Sequence, residues 1–122
     1  MLIGCPKEIK PQEFRVGVTP AAAMEAVSHG HDVLIQRGAG LGSGFDDAQY
    51  EAVGATLTET AEDVFARADM IVKVKEPQPV ERKMLREGQI LFTYLHLAPD
   101  PDQTRDLIAS GATCIAYETV TD

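Results

Sequence analysis

Short apolar runs alternate with amphipathic stretches along the whole chain. The runs at residues 2–5, 32–36, 55–57, 70–74, 89–95 and 113–116 read as strands, and helical spacing fills the segments between them. Residues 70–72 and 114–116 are apolar throughout, as expected of strands that helices cover on both faces. A one-sided antiparallel sheet would alternate more cleanly. The pattern therefore predicts an α/β fold, a doubly wound and mainly parallel sheet in three layers.

Helix boundaries carry their own chemistry. Thr19 before Pro20, and Asp100 before Pro101, place a side-chain oxygen at the cap and a residue without an N–H in the first turn. Asp46 or Asp47 suits the start of a helix through residues 49–53, and Thr60 one through residues 61–66. Gly30, Gly54 and Gly111 each end a helical run just before a strand, where a left-handed residue stops the helix.

Composition narrows the class. The chain has 122 residues, 44% hydrophobic and 25% charged, the profile of one soluble domain over residues 1–122. A net charge of −8 without any Lys/Arg cluster argues against nucleic acid and anionic lipid as partners. Neither a signal peptide nor an apolar run long enough to span a bilayer is visible, so a cytoplasmic location is expected. Cys5 and Cys114 fall at apolar strand positions and read as small buried hydrophobes. The last predicted strand delivers Tyr117 and Glu118 to the sheet edge just before Asp122, which suggests a longer parent chain.

In a parallel α/β sheet the ligand crevice lies at the carboxyl ends of the strands. Lys75 follows the run at 70–74, His96 follows the run at 89–95, and Arg15 lies in the loop after the first strand. An Arg, a Lys and a His at one mouth suit a small keto or amino acid. A guanidinium grips a carboxylate through two parallel hydrogen bonds, each charge-assisted contact contributing about 1.5–3 kcal/mol. An imidazole exchanges protons near neutral pH. Each residue also has a plain structural reading. Arg15 can be an exposed partner of Glu8 or Glu13, Lys73 and Lys75 can reach solvent from an edge strand, and His96 can be a satisfied core histidine. His29 and His31 flank a helix end, where a cation complements the dipole.

The segment Gly38-Ala39-Gly40-Leu41-Gly42-Ser43-Gly44 follows a strand and precedes a helix, the context of a dinucleotide fingerprint. The match is imperfect: Ser43 stands where the third glycine belongs, and Asp46 and Asp47 put carboxylates where a pyrophosphate needs free N–H groups. Glu59 falls about where a ribose-binding acid lies in that motif. A tightly turned or flexible loop is the competing reading.

Gly4-Cys5-Pro6-Lys7-Glu8 with Phe14-Arg15-Val16, then residues 72–77, 89–97 and 116–119, resemble in register the N-terminal region of bacterial alanine dehydrogenases. The resemblance covers essentially the whole chain. It implies a Rossmann-like or flavodoxin-like substrate domain of an enzyme that converts L-alanine to pyruvate and ammonia with NAD. In that reading Arg15 binds the substrate carboxylate, Lys75 polarises the carbonyl oxygen, and His96 is the general acid/base. Glu8 and Tyr94 would support them. NAD would be bound by a domain outside residues 1–122, so the chain alone should not turn over alanine, and the glycine-rich loop would belong to the substrate domain. The resemblance also implies a homo-oligomer, often a hexamer. The related N-terminal segment of a proton-translocating transhydrogenase α subunit is an alternative, disfavoured by Lys75-Glu76-Pro77 and by His96 after Tyr94-Leu95. A catalytically silent assembly module is another.

Overall fold

A computed structural model describes residues 1–93 and 101–116. Strands β1 (Leu2–Cys5), β2 (Asp32–Gln36), β3 (Thr56–Thr58), β4 (Met70–Val72), β5 (Ile90–Thr93) and β6 (Thr113–Ala116) form one sheet. Helices α1 (Pro20–Ser28), α2 (Asp47–Ala52), α3 (Ala61–Arg67), α4 (Pro79–Arg82) and α5 (Pro101–Ser110) connect or flank them. The strand order is β3-β2-β1-β4-β5-β6 and every neighbouring pair is parallel. This is the Rossmann order, and its direction reverses between β1 and β4, where α/β folds place their ligands.

Strand alternation divides the core. Val33 and Ile35 of β2 face a cluster with Cys5, Ala23 and Tyr50, while Leu34 faces Val64, Phe65, Ile71 and Leu91. Helices cover both faces, which is why the central residues of β2, Val33 to Ile35, are apolar and buried on both sides. Phe65 and Tyr50 are fully buried, and each such side chain contributes about 1.5–3 kcal/mol by leaving water. The Tyr50 hydroxyl donates to Val18 O at 2.7 Å, so its polar end is satisfied. No described helix is long and apolar enough to cross a membrane.

The caps form as the sequence predicts. Thr19 Oγ1 accepts from Ala22 N, Thr60 Oγ1 from Asp63 N, and Asp46 from Gln49 N. Gly30, Gly54 and Gly111 take left-handed φ values of 87°, 96° and 73°. Asp100 lies outside the described residues.

Strand ends differ from the sequence reading. β3 begins at Thr56 rather than Ala55, because the Ala55 N–H closes the end of α2 by donating to Tyr50 O at 3.1 Å. β4 ends at Val72 rather than residue 74, because the N–H groups of Val74 and Lys75 turn aside to the carboxylate of Glu8. β5 begins at Ile90 rather than Gln89, because the Gln89 N–H closes a turn by donating to Arg86 O at 3.2 Å. Tyr94 and Leu95 lie outside the described residues. Helix α4 was not anticipated.

Candidate active site at the carboxyl edge of β1 and β4

The loop after β1 and the loop after β4 meet where the strand order reverses. Glu8, from the first, reaches into the second. Its Oε1 accepts from Lys73 Nζ at 3.0 Å and from Lys75 N at 3.1 Å, and its Oε2 accepts from Val74 N at 3.1 Å. Lys10 and Glu76 form a further ion pair between the same loops.

Lys73 is the buried member of the lysine pair. Its side chain is 1% exposed and lies between Glu8 and Glu81, with Glu81 Oε2 at 3.2 Å. β4 is a central strand, so Lys73 does not run out to solvent from a sheet edge. Glu81 belongs to α4, and its Oε1 accepts from Gln78 N at 2.9 Å, which fixes the start of that helix. Burial pushes the Glu81 carboxyl above the ordinary glutamate range, and the charge of Lys73 opposes the shift.

Lys75 is half-buried and follows a bend rather than a strand end. Its backbone is held on two sides: its N–H by Glu8, and its carbonyl by the Thr93 hydroxyl at 2.8 Å. Thr93 is the last residue of β5 and is fully buried. Strands β1, β4 and β5 thus all contribute to where Lys75 leaves the main chain.

Arg15 lies in the loop between β1 and α1, with its side chain 68% exposed. Its guanidinium pairs with Glu13 through Nε at 3.1 Å and Nη2 at 2.9 Å. These hydrogen bonds hold the Glu13 carboxyl below its ordinary range, and the charge of Lys75 pulls weakly the same way. Glu13 acts most strongly on Arg15, and Glu8 adds to the negative field there. Arg15 thus pairs with Glu13, whereas Glu8 holds the backbone of Lys75. Arg15 and Glu13 line a groove of about 360 Å³ that runs toward Gly38 and Gly42 and has Glu8 in its wall. His96 lies outside the described residues.

Gly17 brings the Arg15 loop close to β4. A Cβ there would lie 2.6 Å from Val72 O, so no larger residue fits without moving the loop. Gly42 does the same on the other side, where a Cβ would lie 2.7 Å from Phe14 O. The Ser43 hydroxyl donates to that same oxygen at 2.9 Å. The glycine-rich loop is thus a tight turn that braces the peptide before Arg15.

That loop does not fit a dinucleotide. The Gly38 N–H already donates to Asp47 Oδ1 at 2.9 Å, and Asp46 caps α2. Glu59 pairs with Arg37 at 2.6 Å instead of facing a sugar site. At the reversal point the Glu8 carboxylate occupies two amides of the loop after β4. The glycine-rich loop therefore lacks the free amides of a dinucleotide phosphate site.

Several of these residues escape sequence reasoning. A lone Lys73 inside an apolar run signals a buried counter-charge, and Gln78-Pro79-Val80-Glu81 carries the spacing of a capping box. Both signals were available for Glu81. Cys5 is fully buried and burial pushes its thiol up to about 12, the inert thiol expected at that position. His29 pairs with Glu25 at 2.8 Å on the surface of α1.

Known proteins agree with this architecture. Residues 4–122 match the family model described as alanine dehydrogenase/PNT, N-terminal domain. The chain is 56% identical over 120 residues to an alanine dehydrogenase of Methanococcus maripaludis, covering 98% of this chain and 32% of that protein. A solved L-alanine dehydrogenase superposes with a TM-score of 0.95 at 50% identity, covering 98% of this chain and 33% of that one. A transhydrogenase from Sinorhizobium meliloti superposes with a TM-score of 0.90 at 31% identity, over 97% of this chain and 34% of that one. The chain spans about a third of the length of each. It belongs to the alanine dehydrogenase/PNT N-terminal domain family.

Proposed function

We propose that the chain is the substrate domain of an enzyme that reversibly deaminates L-alanine to pyruvate and ammonia. The observation that carries this reading is the placement of Arg15 and Lys75 on the loops after adjacent strands β1 and β4, where Gly17 packs the Arg15 loop against Val72 and Glu8 fixes the backbone of Lys75. Arg15 binds the substrate carboxylate. Lys75 donates a hydrogen bond to the carbonyl oxygen of pyruvate, drawing electron density from the α-carbon so that ammonia can add. His96, assigned on sequence resemblance, passes a proton to the carbinolamine hydroxyl as water leaves and takes one back in the reverse direction. Proton transfer of this kind contributes about a hundredfold to ten-thousandfold in rate.

The glycine-rich loop does not fit NAD, so its binding is assigned to the portion of the relatives that this chain does not span. Higher identity to alanine dehydrogenases than to the transhydrogenase supports this reading over a hydride exchange between two nicotinamides.

The test is complementation with the remaining part of an alanine dehydrogenase. Alanine oxidation should appear, and Lys75→Ala or His96→Ala should reduce it at least a hundredfold. Full activity in either variant would falsify the assignment.

A further inference from the structure

Arg15 is exposed, yet the acid it pairs with is not: the Glu13 side chain is 5% exposed against 68% for Arg15. We propose that Glu13 is a positioning residue, which grips the Nε/Nη2 edge of Arg15 and leaves the Nη1/Nη2 edge to receive the carboxylate of a 2-oxo acid. The inference rests on the proposed function and deepens it.

Glu13 is held from several directions. Its N–H donates to Lys10 O at 3.2 Å across a turn in which Gln12 adopts a φ of 65°. Left-handed backbone is unfavourable for a residue other than glycine, and such strain persists where the surrounding structure imposes it. The turn folds Glu13 back under its neighbour. There Oε2 accepts from both Arg15 N at 2.8 Å and Arg15 Nε at 3.1 Å, while Oε1 accepts from Nη2 at 2.9 Å. Ser43 and Gly42 brace the intervening Phe14 carbonyl.

A guanidinium has five N–H groups in a planar fork and can accept a carboxylate on either of two bidentate edges. Glu13 takes the side edge. Among the described residues nothing engages Nη1, so the end edge stays open at the groove. A competitor for the substrate would have to leave when substrate arrives. Glu13 is buried and anchored to a main-chain amide, which suits a fixed support.

The test uses the 122-residue chain labelled with ¹⁵N. In the free wild type the Arg15 Nε–H should be motionally restrained, and Glu13→Ala should release it. Pyruvate, titrated by NMR, should bind the Glu13→Ala chain at least tenfold more weakly, with Glu13→Gln intermediate because its amide oxygen still accepts one bond. In an Arg15→Ala background, Glu13→Ala should add no further loss, and the thermal midpoint should stay near that of the parent. A mobile Arg15 in the wild type, or one unaffected by Glu13→Ala, overturns the proposal. So does pyruvate binding that is unchanged or tighter in Glu13→Ala, the latter identifying a competitor. A restrained Arg15 in a wild-type chain that binds no pyruvate overturns the proposed function, and the role of Glu13 toward substrate falls with it.

Discussion

Glu8 and Lys73 form an ion pair of 3.0 Å with side chains 3% and 1% exposed, and the same Glu8 carboxylate holds the backbone of Lys75. Removing one partner of a buried pair leaves a charge that water cannot reach, at a cost of about 3–5 kcal/mol. Because Glu81 also faces Lys73, Glu8→Gln should destabilise the chain toward the lower end, about 3 kcal/mol in urea unfolding. Lys73→Met should cost less in the Glu8→Gln background than in the wild type. Strict additivity of the two substitutions would show that the pair is not energetically coupled.

Gly17 sits where a Cβ would press on Val72 O. Gly17→Ala should therefore cost about 1–3 kcal/mol, the usual range for overpacking. The backbone amides of residues 73–75 should shift in NMR spectra as the Arg15 loop is pushed away from β4. A stability within 0.5 kcal/mol of wild type, a figure typical of neutral surface changes, would mean that the loops are not in firm contact.

Glu13 and Glu81 should respond to pH in opposite senses. The Glu13 carboxyl is held low, chiefly by hydrogen bonds from Arg15. It contributes stability above its unfolded value, and that contribution is lost as pH falls through the lower folded value. Glu81 is held high by burial. The folded chain then binds its proton more tightly than the unfolded one, so the contribution is largest in acid and declines as pH rises from the unfolded to the folded value. Unfolding of Glu81→Gln across this range should lack that decline. In ¹³C titrations Glu13 should ionise below the ordinary glutamate range in the wild type and return toward it in Arg15→Ala.

Cys5 is fully buried with its thiol pushed up to about 12. A thiol reagent at mildly alkaline pH should leave it unmodified in the folded chain and modify it in denaturant. Modification of Cys5 under native conditions, mapped by peptide mass, would show that this part of the core opens readily.

Much of the fold was legible because its signals are local. Apolar runs marked β1, β2 and β6 to the residue, and Thr19, Asp46 and Thr60 announced their helices through side chains that cap them. Helix α4, at four residues, is too short for an apolar periodicity to appear. Strand β4 was read too long because hydropathy says nothing about where an amide turns, and a carboxylate 66 residues earlier takes the N–H of Val74. The candidate site was legible as residue types in the loops after β1 and β4, Arg15 and Lys75 among them. Its wiring was not, since the grip of Glu13 on Arg15 and of Glu8 on Lys73 depends on side-chain geometry that spacing alone does not encode.

The Glu8 carboxylate also changes what this sheet can host. In nucleotide folds with this strand order, bare amides at the first turn form a positive nest for a diphosphate. Here a side chain from the loop after β1 instead occupies amides in the loop after β4, those of Val74 and Lys75. The scaffold keeps the strand order of a nucleotide binder, while two amides at its reversal point are already spent on the chain's own carboxylate.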